Sequence, residues 1–575
     1  MSAPEPPTTQ PSNPSEDTQY LLTSYTQLRQ AIGSRILSDP SILPSPEAIT
    51  TCLASLPSRS KPDYLHPLGP AATHAHLLAD ILPALNLQSL SPRYLGFVTG
   101  GVLPVAEAAD NLVSALDQNV QVHFPLQGRD ADARGWTHSA STAIEHAALG
   151  MLVDLFSLDC SSSFSMSNSS TSTTNTTTTW PVRTFTTGAT ASNILGLACA
   201  RDAVLLRRNP AASVSQLGLA AAYRAAEVRE IRVLSAMPHS SVGKAASVVG
   251  LGRASLRDVG MGERGMPWRM DLDKVEKELR MGLAEEEKGG GVVVHIVVVG
   301  AGEVNTGRFA TGMLDMPKLR SLVDRYGGWI HVDGAFGLFA RALPKTDEFL
   351  ELHASAAGLE LADSIAADGH KLLNVPYDSG IFLCRHSSIA TQVFGNHNAA
   401  YLSSNPSSDH DPDSDAIISP LNVNLENSRR FRALPAYSVL FSEGREGIAA
   451  MLSRMARLAR AVARYIRSSP HYELLPRLPP DNTSNDNHGE DGGESERQTF
   501  IIVLFRAADP GLNETLVDRI NADGHMFVSG TVWEGRKAAR MAVASWRVDV
   551  ERDAAAIAQV LDEVSERWIR EKKTI

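Results

Sequence analysis

The chain has 575 residues, 43% of them hydrophobic and 20% charged, a globular composition with room for a large core and about two or three domains. Its net charge of −11 includes no basic block, so nucleic acid and anionic membranes are poor partner candidates. No uninterrupted apolar run reaches the ~20 residues that span a bilayer. The first residues, MSAPEPPTTQPSNPSEDTQ, have neither a positive n-region nor an apolar h-region. The four cysteines (Cys52, Cys160, Cys199, Cys384) are far apart and lack CxxC spacing. A cytoplasmic protein with reduced thiols is expected, with no disulfide framework and no metal site.

In chain order, residues 1–18 read as a disordered tail and 19–130 as a mostly helical N-terminal segment. A large α/β domain is expected over 131–425. There the β-branched runs REIRVLSA, GGVVVHIVVVGA and GGWIHVDGAFG alternate with helical patterns such as TASNILGLACARDAVLLRR. Continuous apolar runs of this kind are strands buried on both faces of a parallel sheet. Residues 426–575 mix a helix, GIAAMLSRMARLARAVARYIRSS, with the strands TFIIVLFR and ARMAVASWR, which suggests a smaller α+β domain. Three stretches, 160–179, 403–415 and 479–498, lack the apolar content to pack and read as mobile surface insertions.

Within this frame, TFTTGATASNILGL runs from a strand through a glycine turn into a helix. Gly188, Ala189 and Thr190 there offer N–H groups at a helix N-terminus, an anion cup for a phosphate or simply a capped helix start. His239, in a strand-to-helix turn, is either structural or a flat ring that stacks on a flat ligand. VVVGAGEVNTG invites a dinucleotide reading, but Asn305 stands where the third glycine would be, and that reading is rejected. Asp333 ends a buried strand, as a ligand group or as a turn residue. Lys371, in IAADGHKLLNVPYDSG, is either a surface lysine or an amine held in a dry pocket for chemistry. Taken together, a phosphate cup, a flat ring, a carboxylate and an amine have one economical use. They suit pyridoxal 5′-phosphate, with Lys371 as the Schiff-base lysine and Asp333 keeping the ring nitrogen protonated.

The ordered motifs TTGATASN, PHSSVGKAA, HVDGAFG, ADGHKLLNVPYDSG and NSRRFRALPAYSVL resemble the group II pyridoxal-phosphate-dependent amino-acid decarboxylases, which include the aromatic-amino-acid, tyrosine and glutamate decarboxylases. Asp333 precedes Lys371 by 38 residues, and the likeness runs from YLGFVTGG at Tyr94 to the C-terminal SGTVWEGRKAARMAVASWRVDVERD. The resemblance implies an α/β, aspartate-aminotransferase-like fold of type I. It has a large domain with a mostly parallel sheet, a small C-terminal α+β domain and a helical N-terminal segment that forms a homodimer. It implies that Lys371 carries the cofactor with His370 near the phosphate, that Asp333 partners the ring nitrogen, and that Ala335 and His239 pack on opposite ring faces. Ala189 and Thr190 match the phosphate cup, Phe97, Val98 and Thr99 a substrate-lining segment, and Tyr401 a mobile-loop tyrosine that protonates Cα.

Three positions depart from the family pattern. Ala191 replaces a polar residue, Glu303 and Val304 stand where Thr-Thr is common, and Ser91 replaces a histidine. The implied reaction converts an L-amino acid to its amine and CO₂. The substrate amine displaces Lys371, the Cα–carboxylate bond breaks, and Tyr401 or a water returns a proton to Cα. An aromatic substrate is favoured over an acidic one, since no basic residue in YLGFVTGG awaits a distal carboxylate. Arg429, Arg430 and Arg540 are each either structural or anion-binding. The alternatives are an aldehyde synthase, another Cα lyase or aminotransferase, and a non-catalytic dimeric scaffold.

Overall fold

A computed structural model describes residues 14–38, 41–60, 64–123, 139–159, 179–262, 265–287, 291–396, 417–477 and 496–574. Tyr401, the stretch 403–415 and most of the other two low-complexity stretches lie outside the described residues.

The central sheet has seven strands: β1 (Val182–Thr186), β2 (Val228–Ser235), β3 (Leu256–Asp258), β6 (Val292–Gly300), β7 (Trp329–Asp333), β8 (Ser364–Asp368) and β9 (Gly380–Cys384). Their spatial order is β1-β9-β8-β7-β6-β2-β3. Strands β4 (Gly260–Met261) and β5 (Met266–Met270) form a separate antiparallel pair. Neighbours are parallel except at β9, which runs antiparallel to both β1 and β8. The apolar runs noted in the sequence are these strands. Strands β7, β8 and β9 are buried at every position, as a sheet covered on both faces requires.

The helix Ala189–Arg208 packs across one face against β6 to β9. By length and composition alone it is apolar enough to cross a membrane, but 72% of its most apolar window is buried inside the protein, as in a core helix. Its path explains two residue choices. Gly196 lies where a Cβ would come within 2.3 Å of the His331 ring, so only glycine lets helix and strand approach. Fully buried Asn193, one turn earlier, faces the same strand.

The C-terminal part is a four-stranded antiparallel sheet of order β10-β11-β13-β12, with β10 at Tyr472–Leu475, β11 at Ile502–Ala507, β12 at Ser529–Trp533 and β13 at Arg536–Ala542. The helix Ala433–Ser468, kinked at Gly444, packs on both parts of the chain, and Val550–Thr574 packs along it. The segment Arg93–Leu95 is tied to this small sheet by hydrogen bonds to Phe527 and Ala542, which brings Phe97 over from the N-terminal segment.

The helix Pro14–Ser38 corrects the N-terminal boundary. Residues 14–18, expected in a disordered tail, are its first turn, with Thr18 hydrogen-bonded back to Pro14. Neither this helix nor Pro46–Ser55 contains a buried residue. Glu496 and Gln498, assigned to the mobile stretch 479–498, are held by Arg464 and Arg308 respectively.

Candidate active site

The parallel strands place their C-terminal ends along one edge of the sheet, the edge where open α/β sheets bind ligands. The segments after β1, β2, β6 and β8 deliver Ala189, His239, Gly302 and Lys371 to that edge, where Asp333 ends β7. There they line one cavity of about 750 Å³. Thr190, Ala335 and His370 line it too, and Phe97, Val98 and Thr99 close it from the N-terminal segment. All candidate residues within the described part of the chain therefore share one cavity; Tyr401 is not among the described residues.

Lys371 sits in the single turn Gly369–Leu372 that follows β8, with its side chain 22% exposed. Its Nζ lies 2.8 Å from Asp368 Oδ2 and 5.9 Å from the Phe336 ring centre. It is not a surface lysine. Asp333 is 8% exposed. Its Oδ2 accepts a hydrogen bond from Asn193 Nδ2 at 2.9 Å, and its Oδ1 has only a long contact, 3.4 Å, from the Ala335 N–H. His239 caps the helix Ser240–Val248: its Nδ1 accepts the Ser241 N–H and lies 2.7 Å from Ser241 Oγ, while the residue as a whole is exposed. His370 is buried against Tyr377 with ring centres 4.3 Å apart. Burial holds its pKa below the ordinary histidine value, so the ring is biased toward neutrality.

The anion cup differs from the sequence expectation in one respect. The Ala189 N–H is not free: it donates to Asp368 Oδ1 at 2.6 Å. A carboxylate thus already rests at this helix N-terminus, which shows that the position attracts an anion. Thr190 and Ala191 also line the cavity, in the first turn, where N–H groups lack intrahelical acceptors.

The three arginines separate cleanly. Arg429 is fully buried in an ion pair with Glu145 and also donates to the carbonyls of Val120 and Phe185. Arg430 pairs with Asp110 at the surface. Arg540 lines the cavity, donating to the Val304 and Gly96 carbonyls, and burial pulls its pKa down to about 10. Glu303 does not replace the Thr-Thr contacts. Its carboxylate caps its own turn, accepting from Asn305 and Thr306.

Several site residues escaped the sequence reading. Tyr377 follows Lys371 by six positions within the quoted motif and contacts Thr99 Oγ1 at 3.4 Å. Asp368 lies three before Lys371 in the same motif. Asn193 and His331 stand inside motifs that were singled out for other residues. Pairing across strands and helices, which no local spacing reports, brings them to Asp333.

An amine at the cavity wall, a buried carboxylate, an aromatic ring at a loop and an anion-accepting helix start define a site of the pyridoxal-phosphate class. Pyridoxal 5′-phosphate fits these groups: Lys371 would hold its aldehyde carbon, the Ala189–Ala191 turn its phosphate, and Asp333 its ring nitrogen. Residues 137–479 match the family model of the pyridoxal-dependent decarboxylase conserved domain, and the chain belongs to that family. It is a pyridoxal-phosphate-dependent carboxy-lyase of amino acids.

The chain is 29% identical over 394 residues to L-2,4-diaminobutyrate decarboxylase of Acinetobacter baumannii, covering 66% of this chain and 68% of that protein. It is 24% identical over 404 residues to aspartate 1-decarboxylase of Aliivibrio fischeri, covering 70% of this chain and 65% of that one. The fold matches the crystal structure of Oryza sativa TDC with PLP and tryptamine at a TM-score of 0.71 and 21% identity, over 97% of this chain and all of that chain. The type I fold and the mostly parallel sheet expected from the motifs are therefore those of the protein.

Proposed function

We propose that the protein decarboxylates an L-amino acid in this cavity, with Lys371 as the amine that carries the cofactor, and that the product is the corresponding amine. The observation that carries this reading is the meeting of Lys371, Asp333 and His239 along one sheet edge although they are far apart in sequence. Pyridoxal phosphate, when bound, supplies an electron sink for the pair released as the bond from Cα to the carboxylate breaks. Asp333 holds a proton at the ring nitrogen, which lets that sink fill. Lys371 would hold the coenzyme's aldehyde carbon whenever neither amino acid nor amine product occupies it. Tyr401 or a water returns the proton to Cα.

The walls favour an aromatic substrate. Tyr94, Phe97, Trp268, Phe336 and Tyr377 give flat apolar surface. Arg540 provides one buried cation for a substrate carboxylate. The active form is a homodimer: exposed Tyr20, Leu21, Leu22 and Tyr25 lie on a helix that buries none of its side chains, and a second copy would cover them. Free Cys52, Cys199 and Cys384 support a cytoplasmic location.

The experiment is CO₂ release from a panel of L-amino acids by the holoenzyme and by Lys371→Ala, with peroxide and ammonia measured alongside. Wild-type turnover with an aromatic amino acid, lost in Lys371→Ala and without peroxide, supports the proposal. Turnover only with acidic or basic amino acids overturns the aromatic preference. Stoichiometric peroxide makes the protein an aldehyde synthase, and no turnover at all leaves a scaffold.

A further inference from the structure

Behind Asp333 runs a line of buried polar groups that no step above uses. Asn193 donates from Nδ2 to Asp333 Oδ2 at 2.9 Å and to Ser241 Oγ at 3.1 Å, so both amide hydrogens are taken. Its Oδ1 lies 2.8 Å from His331 Nε2. His331 Nδ1 lies 2.8 Å from Ser364 Oγ, which in turn accepts the Trp329 indole N–H at 3.0 Å. Asn193, His331 and Ser364 are all fully buried.

The hydrogens in this line can be placed one by one. An amide oxygen only accepts, so His331 Nε2 carries a hydrogen and donates to Asn193. Burial pulls the His331 pKa down to about 4, so the ring is neutral and its Nδ1 is bare. That bare nitrogen accepts the Ser364 hydroxyl, whose oxygen is already occupied by Trp329. On the far side, Ser241 Oγ accepts from Asn193 and lies 2.7 Å from His239 Nδ1, a nitrogen that accepts the Ser241 N–H at 3.2 Å, so the hydroxyl is the donor to it. The hydrogen of a neutral His239 ring therefore sits on Nε2.

A flipped Asn193 amide would turn its oxygen toward Asp333 and leave a buried acceptor facing a carboxylate. The Asp333 carboxylate thus fixes the amide with its NH₂ forward, and the Nε2–H of His331 meets the amide oxygen behind it. Gly196, which has no Cβ to strike the ring, makes the space for that donor.

We propose that Asn193 is a positioning residue for the decarboxylation. It locks Asp333 and His239 into one hydrogen-bonded unit, and the neutral imidazole of His331 sets the direction of that unit from behind. With Asp333 Oδ2 engaged by Asn193, Oδ1 is the oxygen left for the cofactor's ring nitrogen, and the Nε2–H edge of His239 is the one turned from the cap. The inference rests on the reading of Lys371 and Asp333 as the cofactor site.

Wild type, Asn193→Ala, His331→Leu and His331→Gln are titrated with pyridoxal phosphate, and the dissociation constant, the visible circular dichroism of the bound coenzyme and the melting temperature are recorded. Turnover is then measured per loaded site. Asn193→Ala and His331→Leu are expected to weaken coenzyme binding and slow turnover by roughly tenfold, the size of one hydrogen bond to a charged group, and to reduce the dichroic band. His331→Gln keeps a donor near the Nε2 position and rescues both readouts relative to His331→Leu.

Wild-type coenzyme affinity and dichroism in Asn193→Ala and His331→Leu, with only a lower melting temperature, overturn the proposal. Equal damage in His331→Gln and His331→Leu overturns the role given to the His331 donor. If Asn193→Ala does not fold, the His331 pair decides. A wild-type protein that binds no pyridoxal phosphate refutes the underlying assignment instead, so the two failures are distinct.

Discussion

His331 makes a quantitative prediction about acid stability. Its ring is fully buried, and desolvation pulls its pKa from an ordinary 6.5 to about 4, partly opposed by Asp333. As pH falls below 6.5, the imidazole of the unfolded chain binds a proton that the folded chain refuses until about pH 4. Its contribution is therefore fully present above pH 6.5 and lost progressively down to about pH 4. The gap between the two values is worth about 3 kcal/mol at ~1.4 kcal/mol for each pH unit. His331→Gln removes the titration and keeps a donor to Asn193. The assay is the melting temperature of wild type and variant from pH 7.5 to 4.5, where their difference isolates this one group from every other. Wild type should lose a few °C more than His331→Gln over that range. Curves that stay parallel would refute the neutral, buried assignment.

Gly196→Ala drives a methyl group into the His331 ring and should cost about 1–3 kcal/mol, read as a lowered denaturant midpoint. Arg429→Met leaves Glu145 buried without its cation. It should destabilise by about 3–5 kcal/mol in the same assay, with part recovered in Arg429→Met/Glu145→Leu. Asp368→Asn removes a negative charge from the helix N-terminus expected to take the phosphate. Pyridoxal phosphate should then bind several-fold more tightly by fluorescence titration, about 1 kcal/mol, and unchanged or weaker binding would contradict the placement of the phosphate there.

The central sheet was legible because its strands carry a signal that needs no partner to be read. VVVHIVVVG and WIHVD are apolar without alternation, which only a strand covered on both faces tolerates. Lys371 and Asp333 were legible for a related reason, since each is a charged side chain at the end of a buried run. Asp368, Asn193 and His331 were not. An aspartate before a short helix looks like a cap, and an asparagine inside an apolar helix looks like a tolerated polar residue. Their roles come from neighbours 179, 140 and 138 positions away, reached by Asp368 to Ala189, Asn193 to Asp333, and His331 to Asn193. The start of the first helix at Pro14 was hidden by the proline- and serine-rich stretch that precedes it, although proline suits the first turn of a helix. Arginine identity alone could not separate Arg540 from Arg429. Both are buried, and only the fold shows that one faces Glu145 and the other the cavity.

The assignment of Lys371 as the cofactor-bearing amine is tested most directly by borohydride reduction of the pyridoxal-phosphate-loaded protein followed by peptide mapping. Reduction should bleach the visible band of the bound coenzyme and leave a pyridoxyl adduct on Lys371. An adduct on another lysine, or no bound coenzyme after loading, would contradict it.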